Sequence, residues 1–355
     1  MTVMLALSLV ACTDDGTELV DSGSTAADSG TSDTQDTQDT QDTSPPCTIA
    51  VSGTEPAADA AEVFWRDPLQ VWFDGSFLDR SLPGVSLTLD VDGSAVAAAQ
   101  DWDEGVDSVV VTPSQPLMPE TAYTLTVDAC GVTSAVPFTT SVYGTPLTDG
   151  SESLRDRTWV LQTGNVDWTE PDGAAELLNA FFTDPLLIGV QDVRGDTIDL
   201  LVAMGVFTDL AGFEQLPGLG TWDVFDVDLS QGAWFSAVAE AITFTYDTVP
   251  IDVHDFALQG TFAPDGSVIA GASIQGLVDT RNIALLFGLD QPDFICTTYA
   301  RDYNLECTDC PDGEFLCMDL AGEHISLDEQ PGLTLERLPQ DQDTDTQSAL
   351  TGECP

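Results

Sequence analysis

Val85, Leu87, Leu89 and Val91 alternate with polar residues, and Tyr123, Leu125 and Val127 repeat the pattern. In a strand successive side chains point to opposite faces, so a period of two predicts strands with one buried face. Asp74-Gly75, Pro83-Gly84, Asp92-Gly93 and Glu104-Gly105 punctuate these runs as turns. Strands every 10 to 15 residues or so across residues 47–143 predict an antiparallel β-sandwich.

Residues 145–338 carry longer apolar runs of β-forming residues at 186–193, 197–206, 221–227 and 241–248, with 159–161 as an entering strand. The runs 251–262 and 267–277 flank Ala263-Pro264-Asp265-Gly266, a hairpin turn signature. A helix is expected over 172–182 with Asp172 near its cap, and a second short one over 281–287. The fold class is therefore mainly β: a sandwich, then a second antiparallel β-rich domain with one or two short helices, as a partly closed barrel. Such a barrel could enclose an apolar ligand or be filled by its own side chains.

Charge narrows the functions. The chain has 61 acidic residues and eight basic ones, all arginine, for a net charge of −53. Without lysine there is no Schiff-base or phosphate-loop chemistry, and without a basic surface nucleic acid is excluded as a partner. Residues 13–46 hold nine acids and no base, with Thr34-Gln35-Asp36 repeated in tandem through Thr43. Such a segment cannot offset its ordering entropy and is expected to act as a tether, about 30 Å long on average and at most about 120 Å. The tail 339–355 has a similar composition.

Leu9-Val10-Ala11-Cys12 closes a short apolar N-terminal stretch and resembles the lipobox of bacterial lipoproteins. The resemblance implies a signal peptide at 1–11, acylation of Cys12, and an acidic tether over 12–46. With Thr13 next to the anchor, it implies placement in the outer membrane, exposed at the cell surface or facing the periplasm. The lipid anchor is then the membrane contact.

Glu55-Pro56-Ala57-Ala58-Asp59-Ala60-Ala61-Glu62-Val63, then Asp67-Pro68-Leu69-Gln70-Val71-Trp72-Phe73, resembles the opening of bacterial Ig-like domains of the S-layer-protein type. Val109-Val110-Val111-Thr112-Pro113, Pro116-Leu117, Thr121 to Val127 and Phe138-Thr139-Thr140 continue that pattern in order. The resemblance implies a spacer or adhesive module. In such a sandwich the start of the first strand and the end of the Tyr123 strand share a pole, which implies a Cys47–Cys130 disulfide. Closing that loop would contribute about 4.5 kcal/mol in the chain-entropy model.

Candidate chemistry is sparse. Cys296, Cys307, Cys310 and Cys317 could ligate zinc beside His324, or Cys307 and Cys310 could form a redox pair. An oxidising envelope favours disulfides, Cys296–Cys307 with Cys310–Cys317 expected first and other connectivities open. Cys354 is the odd thiol. His254 and His324 are the two histidines, and no nucleophile-elbow motif accompanies them. Asp90, Asp92, Asp101, Asp103 and Asp107 flank one expected hairpin and could offer calcium hard oxygens, although ordinary acidic turns give the same pattern. Catalytic residues are not assigned, and no cofactor beyond this calcium is expected.

The reading is a lipid-anchored cell-envelope protein with a structural, adhesive or recognition role, its partner an envelope protein or glycan. The alternatives are a carrier or sensor for a small apolar ligand and, less favoured, a carboxylate-based hydrolase.

Overall fold

The computed structural model describes residues 49–338 except 75–83, 90–92, 104–106, 182, 210–211, 247–248, 287 and 304. The described residues all lie in one compact unit, which contains both the sandwich and the second β-rich part.

The sandwich has nine strands: β1 (Ala50–Glu55), β2 (Ala60–Val63), β3 (Leu69–Asp74), β4 (Gly84–Leu89), β5 (Ser94–Val96), β6 (Ala98–Asp103), β7 (Ser108–Pro113), β8 (Ala122–Ala129) and β9 (Val132–Thr140). One sheet runs β1-β3-β7-β6 and the other β2-β9-β8-β4-β5. Alternate residues fill the space between them. Leu69, Val71 and Phe73 face Val109 and Val111 in the first sheet's buried set, and Tyr123, Leu125 and Val127 supply the second. Tyr123 stacks on Phe138 at 5.7 Å and its hydroxyl accepts the Met118 amide, so the period-two run is pinned at one end.

The second part contains β10 (Thr158–Leu161), β11 (Asp167–Glu170), β12 (Leu186–Arg194), β13 (Thr197–Thr208), β14 (Gly212–Gln215), β15 (Trp222–Asp228), β16 (Trp234–Tyr246), β17 (Val249–Phe262), β18 (Val268–Asp279) and β19 (Cys317–Glu329). Antiparallel pairing runs β13-β12-β10-β19-β18-β17-β16, and β15 joins the outer edge of β13. The sheet curls until β15 lies beside β16 without a backbone ladder among the described residues, giving a partly closed barrel.

The barrel is filled by its own side chains. Trp159, Phe235 and Phe262 are fully buried and meet edge-on or tilted at 4.9 and 5.2 Å. Ile188, Val190, Ile198, Leu200, Leu258, Ile269 and Leu327 complete the interior. The Ala263–Gly266 turn forms as its sequence predicts. Asp265 accepts from the Ser267 amide and hydroxyl, Gly266 takes the left-handed φ of 73°, and its carbonyl accepts the Trp159 indole.

Helix α1 (Ala175–Phe181) starts three residues later than expected, because Gly173 sits at a φ of 77° and the turn through Pro171 precedes it. Ala175 and Leu178 pack against the interior, and Asn179 accepts the Trp168 indole. Helix α2 (Ile283–Leu286) matches the second expected helix. A π-helical turn at Ile295–Tyr299 running into α3 (Ala300–Tyr303) has no counterpart in the sequence reading. No helix among the described residues is long and apolar enough to cross a membrane.

Candidate functional site: an acidic cleft and an aromatic seam

One surface feature that lies wholly on the barrel is a cleft of about 790 Å³. Its floor is the outer face of β17, β18 and β19. Leu277 lies opposite Asp319 and Gln275 opposite Ala321, so alternate residues of two strands point into it. Asp255 joins them from a bulge in β17, at a φ of 48°, where the register slips between His254 and Ala257. One wall is Glu170-Pro171-Asp172 before α1, and the other is Leu305-Glu306. Five carboxylates thus surround a short apolar strip.

The second wall belongs to an excursion between β18 and β19 that is clamped twice. Cys296–Cys307 and Cys310–Cys317 are both disulfides. Ile295, Ala300 and Met318 form a small core of their own. Arg281 binds Asp279 and Asp312, holding the Asp312 carboxyl well below the usual range, and Thr280 donates to the Leu316 carbonyl. Each short ring contributes about 2.5–3 kcal/mol in the chain-entropy model. Reduction is expected to raise hydrogen exchange across 295–317 while 186–194 keeps its protection. Unchanged exchange in 295–317 would mean that the small core alone holds the lobe.

The other feature is the seam between sandwich and barrel. The turn after β2 places Phe64, Trp65 and Arg66 against the barrel wall. Trp65 is 6% exposed, donates to the Thr261 hydroxyl at 3.3 Å and lies flat under Gly144, where a Cβ would come within 2.7 Å of its ring. The Arg66 guanidinium sits 4.6 Å from the Trp65 ring centre and 3.9 Å from that of Trp234, and donates to Gln231 at 3.0 Å. It forms no ion pair among the described residues, and burial pulls its pKa down. Gly271, at a φ of 53°, leaves room for Phe64, whose ring a Cβ would meet at 2.3 Å. A groove of about 870 Å³ follows the seam, lined from the sandwich by Glu55, Glu62 and Asp67 and from the barrel by Gln259, Glu323 and His324.

Elsewhere four further arginines pair with carboxylates within the second β-rich part. Arg194 bridges Asp192, Asp199 and Asp226, and its hydrogen bonds hold the Asp199 carboxyl low. Arg155 ties Glu152 to Asp192, Arg157 binds Glu329, and Arg337 binds Asp223.

The residues singled out in the sequence do not assemble into a catalytic centre among the described residues. His254 lies on β17 across from Leu277 and Ala241. His324 is exposed on β19 at a φ of 54°, with Nδ1 4.0 Å from an Asp167 oxygen. The zinc and redox readings of the four cysteines give way to disulfides. Asp279, Cys310 and Cys317 do converge within 4.8 Å, but both sulfurs are bonded to each other. Cys130 is disulfide-bonded, while its expected partner Cys47, like Cys12 and Cys354, lies outside the described residues. Asp90 and Asp92 also lie outside them. Asp101 and Asp103 are exposed on β6, Asp107 keeps one buried oxygen without a hydrogen bond, and the three do not converge as metal ligands among the described residues. The cleft carboxylates and the Trp65–Arg66–Trp234 stack were not foreseen. Among so many acids no subset stands out, but aromatic residues crowding a scarce arginine in a turn was a usable signal.

No curated protein matches the chain. Among solved structures, PcoC, a methionine-rich copper resistance protein from Escherichia coli, aligns at 23% identity with a TM-score of 0.22, over 26% of this chain and 98% of that one. An L,D-transpeptidase from Mycobacterium smegmatis aligns at 16% identity with a TM-score of 0.21, over 51% of this chain and 75% of that one. Likeness at this level says nothing about activity. The family model of the bacterial Ig-like domain matches residues 42–144, and the sandwich is accordingly a bacterial Ig-like domain.

Proposed function

We propose that this is a lipid-anchored protein of the bacterial outer membrane with a structural, adhesive or recognition role, not an enzyme. In it the Ig-like domain serves as a spacer of the S-layer type and carries the barrel outward on an acidic tether. The observation that carries the reading is the filled barrel. The apolar space left at one end, beside Trp168, Met204 and Phe244, is about 40 Å³, well below the roughly 150 Å³ of a cavity that admits one benzene ring. A carrier needs an interior; here contact with a partner falls to the outer surface, where the acidic cleft and its clamped lobe offer shape and charge. An envelope protein with a basic patch or a neutral glycan fits that surface, and an anionic polymer does not.

The anchor is tested by Cys12→Ala. The expected result is transfer of the protein from the membrane fraction to the soluble fraction, with loss of protease accessibility on intact cells. A variant that stays in the membrane fraction would overturn the anchor. Carboxylates flanking a cleft are also what glycoside hydrolysis requires. Polysaccharide turnover abolished by Asp319→Asn would replace recognition with catalysis.

A further inference from the structure

The seam between the Ig-like domain and the barrel carries like charge on both sides. Glu55, Glu62 and Asp67 project from the sandwich, and Asp265, Glu323 and Asp328 from the barrel. What holds the two together is apolar and cationic: Phe64 in the hollow at Gly271, Trp65 on Thr261, and Arg66 between two indole rings. We infer that this seam is a charge-loaded joint, clamped by the Trp65–Arg66–Trp234 stack and pushed open by carboxylates facing each other across it, so that acid and salt close it.

Asp67 is the sensitive element. It is partly buried beside the clamp, and among the described residues its carboxylate accepts no hydrogen bond. Burial is the main influence raising its pKa. Glu55 and Glu323 raise it further, and protonated His324 opposes them from β19. Tyr143, which packs against Phe64, feels the same field: burial and then Asp265, Glu62 and Asp328 push its hydroxyl up. His324 also lies within 4.0 Å of an Asp167 oxygen on β11.

The sign follows from linkage. A carboxyl whose pKa is raised on folding adds stability that is complete below its unfolded pKa and is lost as pH rises through the folded one. At neutral pH, ionised Asp67 therefore works against the seam. Protonating Asp67 removes its repulsion from Glu55 and Glu323 and so acts in the closing direction. Screening by salt acts the same way on the exposed acids.

Hydrogen exchange on the full chain reads the joint locally, through peptides covering 60–68 and 230–236, with 186–194 as an internal reference. At neutral pH and low salt, Asp67→Asn is expected to reduce opening at both seam peptides by about fivefold relative to wild type and leave the reference unchanged. The difference should disappear in molar salt, and also as pH falls through the raised Asp67 pKa. Glu323→Gln, which removes charge from the barrel side, should act in the same direction. The proposal is overturned if Asp67→Asn opens the seam as much as or more than wild type at neutral pH. It is equally overturned if the difference persists unchanged in acid and molar salt.

Discussion

Replacing Trp65 by alanine should turn one unfolding transition into two. The side chain is 6% exposed, stacks under the Arg66 guanidinium, donates to Thr261 and fills the space that Gly144 leaves open. Truncating a buried tryptophan costs about 3–5 kcal/mol, and here most of that falls on the contact between the two β structures. The Ig-like domain and the barrel each keep their own buried cluster, so neither needs the other's core to remain folded. Loss of the clamp also leaves Arg66, whose Nε is buried without a hydrogen-bond partner among the described residues of the intact protein, over one ring. Calorimetry of the variant should resolve two peaks. A single peak, lowered as a whole, would place Trp65 in a shared core and not at a joint.

The second large effect is salt. Nine of the 61 acids lie in the tether segment, which leaves 52 acids against eight arginines from Cys47 onward, a net of −44. Five of the described arginines are already paired with carboxylates: Arg194 serves three, Arg155 and Arg281 two each, and Arg157 and Arg337 one each. The acids far outnumber the arginines, so most of them repel one another without a paired counter-charge. Screening lengths fall from about 10 Å at 0.1 M to about 3 Å at 1 M salt, so the folded state gains as salt rises. The melting temperature is expected to climb on the order of 5 °C across that range. A flat or falling trend would mean that the local arginine clusters, which salt weakens, dominate the surface.

Much of this fold is legible in the sequence, for identifiable reasons. Where one face is buried and the register is unbroken, the period of two is clear. Tyr123, Leu125 and Val127 mark β8, and the turn from Ala263 to Gly266 marks the β17–β18 hairpin. The missed strands break that period. β19, central in the barrel and paired with β10, β11 and β18, buries Leu320 and then Ile325 and Leu327, a change of phase forced by bulges opposite Ala272. Its Asp319, Glu323 and Asp328 give it the look of an acidic loop. The first half of β16 was lost because Ala237 and Ala239 carry too little apolar bulk to stand out, although Ala237 is buried against the core.

The site was less legible because it depends on contacts distant in sequence. Trp65 meets Thr261 and Arg66 meets Trp234, separations that no local pattern encodes. Asp255 enters the cleft only because β17 bulges between His254 and Ala257. The pairs Cys296–Cys307 and Cys310–Cys317 are those the sequence suggests first, because each joins cysteines close enough in sequence to close a short loop.

If the Ig-like domain and the barrel work as one body with recognition on its outside, calorimetry of the unmodified chain in moderate salt should show a single transition whose calorimetric and van't Hoff enthalpies agree. Two resolved transitions in the unmodified chain would contradict it, because the seam would then be a contact between independent domains.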